Sequence, residues 1–148
     1  MPAWRRSVVR VRTLLWFTAV VYAAVVLAVT VVYPRHVPPN NTINLVPLRA
    51  IRDAFATSGD TVALRQVWGN IAMFVPFGVL LPLLWGRCRR LLPLAGAAVL
   101  ASVGIELVQW LVGRGASDID DVLLNLSGAF IGWVVLSAVA AAVERSRR

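Results

Sequence analysis

Apolar residues gather into four long runs, at about residues 14–33, 67–85, 91–112 and 119–143, separated by short polar or arginine-rich breaks. Each run is about 20 residues, which as a helix spans about 30 Å and so matches a bilayer core. The pattern predicts one domain over residues 1–148, an all-α integral membrane fold with four transmembrane helices. The first run is longer than the roughly 7–15 residues of a signal-peptide core, and no A-x-A site closes it, so a retained anchor is expected. Tyr33 and Pro34 mark its end, as an interfacial aromatic and a helix stop. The second run holds Asn70, Pro76, Gly78 and Pro82, and its prolines predict a kink.

Between the first two runs lies the longest polar segment, residues 34–65. Pro38, Pro39, Asn40 and Asn41 prevent a regular helix at its start. Further on, Leu48, Ile51 and Phe55 repeat at helical spacing against Arg49, Arg52 and Asp53. That pattern fits a short helix lying on the membrane surface; an ordinary loop is the alternative.

Composition agrees with the runs. Hydrophobic residues make up 59% of the 148, against roughly 45–50% in soluble domains. The net charge of +8 is carried by arginine alone, since the chain has no lysine. In a soluble protein such a charge would suggest nucleic acid, but here the arginines sit at the ends of apolar runs, so no nucleic-acid partner is expected. With four spans, both termini and the turn holding Arg87, Arg89 and Arg90 share one side. That side carries ten arginines and the other five, which predicts a multi-pass protein of the cell membrane with both termini cytoplasmic. One cysteine, Cys88, and one histidine, His36, give no disulfide and no zinc set, and no cofactor is expected.

The candidate chemistry lies between residues 101 and 133. Glu106, Asp118, Asp120 and Asp121 are four of the chain's seven acidic residues. An ionisable group in a span costs roughly 2.5–3.5 kcal/mol on insertion scales, so Glu106 needs a reason to be there. Span directions place Asn70, Glu106 and Asn125 at similar depth, each roughly 6–9 Å in from the same side. Asp118, Asp121, Asn125, Gly128 and Gly132 share one helical stripe, and Ser102, Glu106 and Gln109 share another. Gly128 and Gly132 form a small-xxx-small pair that lets a second helix approach closely. Asp120 is expected on the opposite side, facing headgroups or water. Structural readings stand beside these. Ser117 with Asp120 resembles a helix cap, and acids in a first turn suit the helix dipole. Asn70 and Asn125 would serve as interhelical hydrogen-bond glue, and Glu106 would pair with Arg114.

Four motifs in order resemble the VanZ-like family: Asn44-Leu45-Val46-Pro47; Gly69-Asn70 through Pro76-Phe77-Gly78; Glu106-Leu107-Val108-Gln109; and Asp118-Ile119-Asp120-Asp121 through Asn125, with Gly128 and Gly132. The resemblance covers about residues 14–143. One position departs from the pattern: Arg114 stands four residues before Asp118, where the family usually has an arginine three before. The resemblance implies a small polytopic protein of the bacterial envelope, in a family whose named member confers resistance to teicoplanin-type glycopeptides. It implies no reaction, so no catalytic residue carries over.

Two function classes follow. In the first, Asn44, Asn70, Glu106, Gln109, Arg114, Asp118, Asp121 and Asn125 line an outer-leaflet pocket for the head of a lipid-linked or lipid-tailed molecule, while membrane lipids surround the spans. In the second, an intramembrane enzyme acts on an envelope lipid, with Glu106 as general acid or base and Asp118 and Asp121 orienting substrate or holding a divalent ion. The chain has no G-x-S-x-G elbow and no H-E-x-x-H, and one histidine cannot supply multi-histidine phosphatase chemistry. A structural partner in a larger membrane complex is the third possibility. The sequence leaves open the oligomeric state and whether any metal binds.

Overall fold

A computed structural model describes residues 3–32, 46–56, 61–112 and 118–148. The order is α1 (Ala3–Val32), α2 (Arg49–Ala56), α3 (Thr61–Leu84), a 3-10 turn (Gly86–Arg89), α4 (Leu91–Leu111) and α5 (Ile119–Ser146). Four helices are long and apolar enough to cross a membrane: Val9–Thr30, Leu64–Leu84, Leu91–Leu111 and Ile119–Ser146. The fold is therefore the all-α, multi-pass architecture that the four apolar runs predict. Leu92 is 85% exposed and Leu100 75%, a surface that suits hydrocarbon rather than water.

The helices run beyond the apolar segments. α1 begins at Ala3 because nothing from there to Thr13 breaks a helix, and arginine is a good helix former. The basic arm thus continues the first span. α2 occupies the segment where Leu48, Ile51 and Phe55 set the helical spacing. Leu48, just before it, has φ 65°, in the left-handed region that a branched side chain rarely adopts.

The core is the seam between α3 and α5. A Cβ added at Gly128 would overlap the carbonyl oxygen of Ile71, one at Gly132 that of Val75, and one at Gly78 that of Ala129. The three glycines therefore let the two backbones touch, as the small-xxx-small pair predicts. Phe74, Ala98 and Ala129 form the buried apolar centre, bringing α4 into the seam. Val67 and Leu124, with Ile71 against them, continue it toward the start of α3.

Two ties outside the seam fix the remaining pieces. Tyr22 on α1 donates its hydroxyl to the carbonyl of Met73 at 2.6 Å. Trp133 on α5 donates its ring N–H to the carbonyl of Arg89 at 2.9 Å, holding the 3-10 turn against the bundle. Buried Cys88 is inside that turn.

Candidate functional site

The polar residues converge at the end of the bundle where α3 and α5 begin and α4 stops. α5 starts there because Asp118 caps it: its carboxyl accepts the backbone N–H of Asp120 at 3.0 Å. The cap is thus Asp118 rather than Ser117, and Ser117 lies outside the described residues. Asp120 and Asp121 fall in the first turn, where the helix dipole favours negative charge.

Six polar residues here are each no more than 4% exposed: Asn70, Ser102, Gln109, Asp120, Asp121 and Asn125. Burial of this kind is expensive without hydrogen bonds, so the partners define the site. Asn70 donates its side-chain amide to Asp121, joining α3 to α5. Gln66, one turn before Asn70 on the same face, reaches the same Asp121 oxygen at 3.5 Å. Asn125 donates to the hydroxyl of Ser102 at 3.1 Å, joining α5 to α4. Ser102 in turn donates to the carbonyl of Ala98 at 2.9 Å, so its hydroxyl hydrogen is committed within its own helix and its lone pair faces Asn125.

The Ser102–Asn125 bond sets the register of the two antiparallel helices. One turn further along each places Glu106 level with Asp121, and one turn more places Gln109 level with Asp118. The result is a ladder of polar rungs across α4 and α5, with Asn70 and Gln66 reaching it from α3. The amide nitrogen of Gln109 and the amide oxygen of Asn125, both on the ladder, lack a hydrogen-bond partner among the described residues. One is a donor, the other an acceptor, and both are buried.

Asp120 corrects the sequence expectation. It does not face headgroups or water; it is buried, and its carboxyl accepts the backbone N–H of Leu48. The aspartate that looked peripheral on a helical wheel holds the strained residue leading into α2. A wheel cannot reveal this, because the partner is a backbone amide on a distant loop. Gln66 and Ser102 were also outside the candidate pocket, although spacing gave a signal for each: Gln66 is four residues before Asn70, and Ser102 four before Glu106. Asn44 and Arg114 lie outside the described residues, so their expected places in the site stand as expectations. Among the described residues, no three His, Cys, Asp or Glu side chains gather to hold a metal ion.

The arrangement can bind a group that offers both an acceptor and a donor, and its register brings half-buried Glu106 level with buried Asp121. Comparison with known proteins points the same way as the motifs. The sequence model of the family described as VanZ/LLP1 matches residues 15–140. Protein VanZ of Enterococcus faecium is 33% identical over 91 residues, covering 62% of this chain and 50% of that relative. The matched chain thus spans about half the length of the curated relative. No solved structure matches.

Proposed function

This chain belongs to the VanZ/LLP1 family, and from that premise we propose that it binds the polar head of a lipid-linked or lipid-tailed molecule at the ladder between α3, α4 and α5. Its biological setting, on this reading, is the cell envelope and resistance to lipid-tailed glycopeptide antibiotics. The carrying observation is the pair of unmet groups, the Gln109 amide nitrogen and the Asn125 amide oxygen, buried within segments apolar enough to span a membrane. A protein interior tolerates few such atoms, and in hydrocarbon each costs more than in water. A guest carrying a carbonyl and an N–H or O–H, as amides and sugars do, would satisfy both. The arginine split puts this end of the bundle in the outer leaflet, where lipid-carried wall precursors and lipoglycopeptides are met.

The test is native mass spectrometry of the protein drawn from a Gram-positive host membrane. The wild type should retain a lipid-linked species that Gln109→Leu loses, while both proteins melt alike. Retention of ordinary phospholipid alone, identical in both, counts against the reading.

A second reading keeps the same residues and adds chemistry. Glu106 and Asp121 stand level across α4 and α5, the arrangement that general acid–base catalysis on an envelope lipid would use. Asp118, one turn from the pair, would then orient the substrate.

A further inference from the structure

At the opposite end of the bundle, Leu84 is 14 residues along α3 from Asn70, about 21 Å away. There an open groove of about 560 Å³ runs between the start of α1 and the end of α3. Its walls are Val11, Leu15, Leu83 and Leu84, with Ser7 and Arg12 supplying the polar atoms. That size falls within the roughly 300–1,000 Å³ of small-molecule sites. Trp16 and Trp85, adjacent in sequence to Leu15 and Leu84, meet edge-to-face with centroids 6.1 Å apart and tie the two helices beside the groove. Tryptophan in such a place sits at the level of lipid headgroups.

We propose that this groove binds one anionic phospholipid, its acyl chain on the leucine and valine wall and its phosphate on Arg12. Arg12 stands at the membrane edge of the first span, two residues before the apolar run that begins at Leu14, and it forms part of the groove wall itself. Arg12 is exposed and makes no ion pair among the described residues, so its charge is available to a ligand. From that edge a guanidinium reaches out to phosphate while its stem stays on apolar surface. The field around it is strongly positive. Ten arginines fall on this side of the four spans, and Glu144 is the only acid there. Basic sites between helices at a membrane face recruit anionic headgroups on this principle.

The experiment uses the full chain in neutral detergent, doped with phosphatidylglycerol or with phosphatidylcholine of the same chain length. Native mass spectrometry counts retained lipid, and melting is recorded with and without lipid. The wild type should retain phosphatidylglycerol at least about fivefold better than phosphatidylcholine, and gain melting temperature with it alone. Arg12→Gln should lose that preference while its lipid-free melting stays that of the wild type. Arg148→Gln, which removes a charge from the same side but away from the groove, should keep the preference. Val11→Trp, which fills the groove, should lower retention of phosphatidylglycerol with Arg12 still present. Equal retention of the two lipids by the wild type overturns the proposal. So does an equal loss in Arg12→Gln and Arg148→Gln, which would make the effect one of bulk charge.

Discussion

Asn70 on α3 donates its side-chain amide to the carboxyl group of Asp121 on α5, across 51 residues of sequence. The two helices begin at the same end of the bundle, and this bond closes their seam where the glycine contacts stop. Asp121 is buried, so removing the Asn70 amide takes a donor from a carboxyl group that water cannot reach. Asn70→Leu is therefore expected to lower stability by about 1–3 kcal/mol in detergent melts. Asn70→Leu with Asp121→Leu should cost less than the two single changes added together, because the double variant no longer buries the carboxyl group that the amide serves. Strict additivity in that cycle would show that the two side chains do not interact.

The α3–α5 seam makes a sharper prediction. Gly128→Ala places a methyl group on the carbonyl oxygen of Ile71, which is backbone and cannot swing aside. The change should cost about 1–3 kcal/mol, the range of overpacking in a tight core. Gly96→Ala and Gly104→Ala meet nothing within 4 Å. Those should be neutral or stabilise by up to about 1 kcal/mol, since alanine is the better helix former. The comparison of melting temperatures among the three variants reads the seam alone.

Asp120 accepts the backbone N–H of Leu48, in the segment before α2. Leu48 keeps a left-handed conformation there, of the kind that costs of order 1–3 kcal/mol unless its surroundings hold it. Asp120→Ala should therefore raise hydrogen exchange across residues 46–56 while exchange in α4 stays unchanged. Leu48→Gly relieves the strain and should leave exchange in that segment close to wild type. Unchanged exchange in Asp120→Ala would mean that the segment is held by other contacts.

These residues show what was legible in the sequence. The direction of each span, read from the apolar runs, was enough to bring Asn70, Glu106 and Asn125 to a similar depth. The stripe from Asp121 to Gly132 follows from helical periodicity, and the glycine seam follows from the stripe. What was not legible depends on register and on backbone. Nothing in the sequence says that Ser102 rather than Glu106 meets Asn125, because one helical turn of sliding would exchange them. Nothing says that Asp120 meets Leu48, because a peptide N–H has no residue-type signature. Asp120 consequently looked solvent-facing by its angle on the wheel, although the start of α5 is covered from the side by the approach to α2.

Orientation is checked independently of the site. The ten-to-five division of arginines predicts both termini in the cytoplasm. In a Cys88→Ser background, Ser58→Cys should react with an impermeant maleimide added to intact cells, and Ser146→Cys should react only after lysis. Labelling of Ser146→Cys in intact cells would invert the topology, and with it the assignment of the polar ladder to the outer leaflet.

Glu106 carries the decisive substitution. It lies on α4 one turn from Ser102 and level with Asp121, within a segment apolar enough to span a membrane. A carboxyl group there is costly whether neutral or charged, and a well-packed apolar side chain often replaces a buried polar group without loss. If Glu106 serves packing alone, Glu106→Leu should melt at or above the wild-type temperature and leave lipoglycopeptide tolerance untouched. If Glu106 serves the site, the same variant should express and melt normally yet lose the tolerance. Glu106→Gln then separates binding from chemistry, since it keeps size and hydrogen bonding and removes the titratable proton. A binding site should keep part of its effect in Glu106→Gln. An enzyme using Glu106 for proton transfer should lose about 10²–10⁴-fold, leaving little measurable activity. Because Asp121 stands at the same level, Asp121→Asn should follow Glu106→Gln if the two carboxyl groups act together, and should keep tolerance if Asp121 serves only to hold Asn70.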